Sequence, residues 1–352
     1  MTRATRLASI LSAAMLSAAF STAQAAAVTP LTATQVLNQM NVVTKNTINS
    51  TSHVDGRTYA GGSVSGGEYG GHISSAPASS YAGLTAGGAV SNVKVNGGGA
   101  VVAGSVSNSI VNSGGSVVKG SASSSTFNGN ATVAGGASNT NFNGAQTATE
   151  AMKAAEAAAS STNFNQVLAN LSTSLSGLAS TGSTVNVSGN KATFNAKAGA
   201  NGVAVFDLSA IDESLFKLGE FQFNLNGAST VIFNTDIISA TIGANFLGGA
   251  AQAIGSQAIW NFYKAENLTI NNQFGGSVLA VNALLTNNQN IEGGVYVEDL
   301  VQKGEIHLQA FSGSLDFLDK PRAGVPEPGS IALVMTGLLA LGCVRLRRKF
   351  QA

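Results

Sequence analysis

Charge is scarce in this 352-residue chain, in which 10% of residues are Asp, Glu, Lys or Arg. Ordinary globular domains carry about 25%. A surface built from ion pairs is therefore excluded, and Ser, Thr, Asn and Gly must cover the exterior. Aromatic residues make up 6%, with one Trp, which leaves few rings for stacking on sugars. The single cysteine, Cys343, lies near the C-terminus, so no disulfide and no cysteine nucleophile serve the rest of the chain. Also missing are H-E-x-x-H, G-x-S-x-G, the phosphate-loop motif G-x-x-x-x-G-K-[ST] and the calcium-repeat motif G-G-x-G-x-D. Zincin, serine-hydrolase, P-loop and calcium-repeat chemistry lose their usual signatures with them. The 42 glycines and 5 prolines amount to about half the level that marks low-complexity disorder. A mean hydropathy of +0.20 points to a chain that folds.

Both ends read as addresses rather than fold. Arg3 and Arg6 precede an apolar run from Leu7 to Phe20, and the small residues Ala23 and Ala25 follow. That order predicts a secretory signal peptide over residues 1–25, cleaved by signal peptidase after Ala25, with Ala27 as the alternative. At the other end, Pro326-Glu327-Pro328 precedes an apolar run from Ile331 to Val344, closed by Arg345, Arg347, Arg348 and Lys349. The run is short against the ~20 residues a bilayer asks for, and the arginines form a cytoplasmic stop. Together these features resemble the PEP-CTERM sorting signal of exopolysaccharide-making Gram-negative bacteria, over residues 325–352. The resemblance implies recognition at the inner membrane by exosortase-type machinery and removal of the transmembrane helix. Without these ends the chain holds 12 basic and 16 acidic residues. A net charge of minus four provides no basic face for nucleic acid.

Between the ends, glycine-led stretches begin at Gly88, Gly104, Gly120 and Gly136, spaced by 16 residues. Turn signals at Gly97-Gly98-Gly99, Gly114-Gly115, Asn128-Gly129 and Asn143-Gly144 separate short β-branched segments. A period this short suits one coil of a parallel β-solenoid, each coil stacking about 4.8 Å from the next; a β-sandwich of similar short strands is the alternative. Val93, Ile110, Phe127 and Phe142 are the candidate inward ladder, and the glycines are expected at corners needing positive φ.

Residues 147–178 break the repeats. Thr147 and Glu150 have capping-box spacing, and Phe164, Leu168, Leu171, Leu175 and Leu178 form one apolar stripe. One long amphipathic helix flanking the solenoid is expected. After Val185, β patterns return with less regular spacing. Residues 35–318 read as one domain: a mainly β, right-handed parallel β-helix with one long flanking α-helix, between an N-terminal signal helix and a C-terminal transmembrane helix.

Asp55-Gly56-Arg57 with Ala60-Gly61-Gly62, and later Trp260-Asn261-Phe262, Gly276-Ser277-Val278-Leu279-Ala280, Gly304-Glu305-Ile306-His307 and Phe311-Ser312-Gly313, resemble the choice-of-anchor A family. Val281 stands where that family's pattern has proline. The resemblance implies an extracellular domain similar in outline to the β-helix of bacterial ice-binding proteins.

Candidate chemistry is sparse. His53, His72 and His307 are far apart in sequence, without paired-ligand spacing, so no metal site is expected. The acidic pairs Asp212-Glu213, Glu298-Asp299 and Asp316 with Asp319 are read as surface solvation, since neighbours on a strand face opposite ways. Asp55 and Arg57 are expected to form a local ion pair. No catalytic residue, metal or cofactor is assigned. The sequence thus predicts an exported, non-enzymatic structural or adhesion protein whose neutral face meets exopolysaccharide, with ice binding or a polysaccharide-active enzyme as alternatives.

Overall fold

In the repeat segment, strands Ala100–Val102, Val106–Ser107 and Ile110–Val111 are followed by Ser116–Val118, Ala122–Ser123 and Thr126–Phe127. Each pairs in parallel with its counterpart one coil away: Ala100 with Ser116, Val106 with Ala122, Ile110 with Thr126. A coil therefore lays one strand on each of three faces. The computed structural model describes residues 28–318. The signal segment with Ala23 and Ala25, and the tail with Pro326, Glu327, Pro328, Arg345, Arg347 and Arg348, lie outside the described residues, as do both terminal helices expected there. Among the described residues, no helix is long and apolar enough to cross a membrane.

The coils do not stack in chain order. Along the first face the neighbours run Ala131–Val133, Ser116–Val118, Ala100–Val102, Leu84–Ala86, Thr58–Ala60 and Val42–Thr44. They continue with Val295–Gln302, Ser277–Asn287, Ala258–Phe262, Thr230–Thr235 and Val203–Asp207. The chain thus begins inside the stack, winds out to one end, and starts again at the other. Its last coil closes against its first, with Val42 paired to Val295 and Val54 to Ile306.

Such an order needs a connection running back along the rod, and helices supply it. After a short α1 (Ala33–Gln39), the return is made by α2 (Glu150–Ala159) and α3 (Phe164–Ser176). They have 10 and 13 residues, about 35 Å at 1.5 Å per residue, against roughly 48 Å for the stack at 4.8 Å per coil. Helix α2 lies on strands Ala100–Val102 and Ser116–Val118, while α3 lies on Thr230–Thr235, Ala258–Phe262 and Ser277–Asn287.

The single helix expected over 147–178 is divided. Thr149, not Thr147, caps α2 by accepting from the Met152 N–H at 3.2 Å, and Asn163 caps α3 by accepting from the Gln166 N–H at 3.1 Å. Ser160-Ser161-Thr162-Asn163 is a run of side chains that compete for backbone groups, which favours a break and a fresh cap.

The first face is buried on both sides. Val42, Val102, Val118 and Phe233 point into the solenoid, while Val43, Val101, Val117, Val205, Ile232, Ile259 and Leu279 are covered by the helices or their flanking segments. Asn234 and Asn261 add polar links beneath α3. Asn234 donates to the Leu175 carbonyl at 2.7 Å, and Asn261 donates to the Ser172 carbonyl at 3.0 Å. In the C-terminal coils the interior fills with rings, Trp260 stacking on Phe233 at 3.9 Å between centroids. Burying each such side chain stabilises the fold by about 1.5–3 kcal/mol.

Two short elements, α4 (Asp212–Leu215) and α5 (Ala250–Ile254), replace or extend coil corners near that end. The antiparallel hairpin Thr184–Ser188 with Lys191–Asn195 completes the end, and Thr181 pairs with the backbone of Val205. At the opposite end no strand pairs with the outer side of Ala131–Val133 among the described residues, although the Ala131 N–H donates to the Ala145 carbonyl at 3.1 Å.

Two expectations about the repeats need correction. Gly104 and Gly120 do not adopt positive φ. They are required because a Cβ on Gly104 would stand 2.7 Å from the Gly88 carbonyl oxygen, and one on Gly120 would stand 2.6 Å from that of Gly104. Left-handed backbone falls, as expected, on the turn glycines Gly98, Gly99 and Gly114 and on Gly136, and also on Asn92, Asn108, Ser124 and Asn139, residues whose short polar side chains tolerate that conformation. Ile110 is 44% exposed, and Val111 takes the inward place, in register with Val95 and Phe127. Both residues of that two-residue strand are apolar, so alternation alone left its phase open.

Candidate binding face

The second face carries an aligned outward row. Ser138, Ser123, Ser107, Ser91 and Ser65 are successive parallel partners, followed by Asn49 and Val301. The row continues through Thr286, Thr269 and Thr241. All of these residues are partly or fully exposed. The residues that precede them in sequence, such as Val90, Val106, Leu268 and Leu285, point into the core, so period-two alternation holds the row outward. Successive members stand one coil apart, about 4.8 Å. No charged residue occupies the row; Asp299 lies beside it.

Hydrogen bonds along the rod stiffen the edges of this face. Ser109 and Ser125 are buried at the corner, where Ser109 Oγ accepts from the Val93 N–H at 3.1 Å and Ser125 Oγ accepts from the Ser109 N–H at 3.2 Å. On the third face the Asn side chains form a ladder. Asn143 donates to Asn128 at 2.7 Å, Asn128 to Asn112 at 3.4 Å and Asn112 to Asn96 at 3.0 Å. The ladder ends where Asn96 donates to Glu68 Oε2 at 3.1 Å. Hydrogen bonds from Asn96 and then Lys94 hold the Glu68 carboxyl below the usual range. A groove of about 530 Å³ runs along the edge shared by the second and third faces, past His53, Glu68, Asn92, Lys94 and Asn108.

The sequence-predicted residues are distributed as follows. Val93, Phe127 and Phe142 face or adjoin the core. Asp212 is buried and accepts from the Thr235 hydroxyl at 2.7 Å, Glu298 pairs with Lys45 at 2.7 Å, and Asp299 accepts from Thr47. Glu213 is exposed, Asp316 is exposed, and Asp319 lies outside the described residues. Asp55 and Arg57 do not pair with each other. The Asp55 carboxylate lies 2.8 Å from His72 Nδ1 and accepts from the Leu308 N–H, while Arg57 donates to the carbonyls of Pro77 and Tyr81. Local sequence proximity suggested the ion pair; the segment between Tyr69 and Leu84 supplies His72, Pro77 and Tyr81 as partners instead, and the last coil supplies Leu308.

Sequence reasoning missed a second grouping. His53 and His307, distant in sequence, meet where the first and last coils join, around Glu305, with Glu292 behind. Burial opposes a charge on His307, but Glu305 and Glu292 outweigh it and hold the imidazole above its usual range. The alternation in Glu305-Ile306-His307 was the available signal, because it sets both polar side chains on one side of a strand. The row Thr241, Thr269 and Thr286 was equally hidden, because coils of unequal length do not show as a fixed period.

A family described as "Putative Ice-binding-like adhesive domain" matches residues 33–308. The chain belongs to that family. The adhesive-domain match spans every coil described above. A second match, to the PEP-CTERM protein-sorting motif, covers residues 324–349 and so includes Pro326, Glu327, Pro328, Arg345, Arg347 and Arg348. That motif supports export and surface sorting and implies processing by exosortase-type machinery. The family matches return the ice-binding-like adhesive domain rather than choice-of-anchor A. No curated protein and no solved structure matches the chain.

Proposed function

We propose that this is a non-enzymatic adhesion protein of the cell surface or matrix, binding the exopolysaccharide through the second face and its adjoining groove. The observation that carries the reading is the charge-free row from Ser138 to Thr241, aligned by coil-to-coil pairing. Hydroxyls fixed at one spacing on a rigid backbone can donate to and accept from sugar hydroxyls with little ordering cost. The adhesive-domain family and the sorting motif support a role outside the cell. We read the winding as right-handed, the hand favoured when parallel strands connect within one sheet, and the sorting tail as cleaved after delivery. In a pull-down on the producing organism's exopolysaccharide, purified protein lacking leader and tail is retained above a charge-matched control. Absence of retention would remove the polysaccharide assignment.

A second reading, ice binding, is favoured by the in-register threonines Thr241, Thr269 and Thr286. It predicts inhibition of ice recrystallisation that is lost when these residues are replaced by bulky side chains. An assay showing no inhibition disposes of it.

A further inference from the structure

The cluster at the join of first and last coils has the composition of a metal centre. Glu305 Oε2 stands 2.7 Å from His307 Nε2 and 3.5 Å from His53 Nε2, and ligand atoms of the three residues lie within 4.8 Å of one another. Around a tetrahedral zinc ion, with bonds of about 2.0–2.1 Å, ligand atoms are separated by about 3.3 Å. The three side chains are 30–40% exposed, leaving them room to adjust. Behind them the Glu292 carboxylate, 3% exposed, accepts from His307 Nδ1 at 2.8 Å and is itself held by Gln273 at 2.8 Å and Gln252 at 3.3 Å. A buried carboxylate on one imidazole nitrogen turns the other outward as a ligand, the arrangement that orients metal-binding histidines.

We propose that His53, Glu305 and His307 bind a divalent transition-metal ion, zinc foremost, with Glu292 as positioning residue and water completing the coordination. Two imidazoles and one carboxylate suit zinc and its neighbours, whereas calcium and magnesium prefer all-oxygen sets. His53 comes from the first coil, and Glu305 and His307 come from the last. The ion therefore ties together strands that meet only in the finished fold, and its binding is linked to folding.

The test uses the full chain, purified without a histidine tag and melted first in chelator, then with increasing zinc chloride. Calcium and magnesium chloride are run in parallel. Zinc at ~100-fold above its Kd raises Tm by on the order of 5 °C, and cobalt gives the visible absorption of a tetrahedral site. His53→Ala and Glu305→Gln each remove the zinc increment, while Tm in chelator changes little. Glu292→Gln weakens zinc binding about 10–100-fold. No zinc increment in the native chain, an increment that persists in both His53→Ala and Glu305→Gln, or an equal response to calcium overturns the proposal.

Discussion

Thr47 donates both its backbone N–H, at 2.9 Å, and its hydroxyl, at 2.6 Å, to the same carboxylate oxygen of Asp299 across 252 residues of chain. Asn46 donates to the other oxygen at 3.1 Å. These bonds lock the first coil onto the last. Burial alone would raise the Asp299 pKa, but the hydrogen bonds from Thr47 and Asn46 outweigh it and hold the carboxyl below its usual range. A depressed folded-state pKa contributes stability above the unfolded value, about 3.9, and loses it as pH falls through the folded value. Asp299→Asn therefore lowers stability by about 1 kcal/mol at neutral pH. In urea unfolding, the gap between variant and native protein stays constant from pH 7 to about 5 and narrows below about 4. A gap that widens in acid contradicts this account.

Glycine at the repeat corners serves close approach. Gly104→Ala presses a methyl group against the Gly88 carbonyl and costs about 1–3 kcal/mol. Gly136→Ala meets nothing within 4 Å and bears only the strain of its positive φ, about 1 kcal/mol. Chemical denaturation of the two variants ranks them; equal losses would refute the distinction.

Trp260 is fully buried, stacked on Phe233, and donates its indole N–H to the Gly275 carbonyl at 2.9 Å. Trp260→Phe leaves that carbonyl unpaired and the site underfilled, a loss of about 2–4 kcal/mol. As the only tryptophan, it reports unfolding directly, with blue-shifted emission in the native state that moves red through the transition. Red native emission would place the ring elsewhere.

The repeat coils were legible because 16-residue spacing brings like residues into register, and strands Val90–Ser91, Val106–Ser107 and Ala122–Ser123 fall within the stretches led by Gly88, Gly104 and Gly120. The junction of Val42 with Val295 was not legible. Parallel neighbours within a buried core share only apolarity, so one valine does not specify which distant valine it will meet. The metal cluster depends on that junction and stayed hidden with it, whereas the neutral serine surface could be read from the repeats alone.

The outward row can be tested without disturbing the core. Ser107→Lys and Thr269→Lys place long cations on the second face and leave Tm within about 2 °C, since exposed substitutions change stability by less than about 0.5 kcal/mol. Retention on neutral polysaccharide falls at least several-fold in the double variant. Unchanged retention assigns adhesion to another surface.

Order of synthesis acquires a meaning from the interrupted stack. The coil at Val42–Val54 emerges early, yet the strand that covers its far edge, Val295–Gln302, arrives nearly last. Throughout elongation and transport that edge carries unsatisfied amide and carbonyl groups that any passing strand can pair with. Completion of the polypeptide is thus also the moment its earliest part stops being sticky. Truncation by even a single C-terminal coil should yield aggregates instead of a shorter rod.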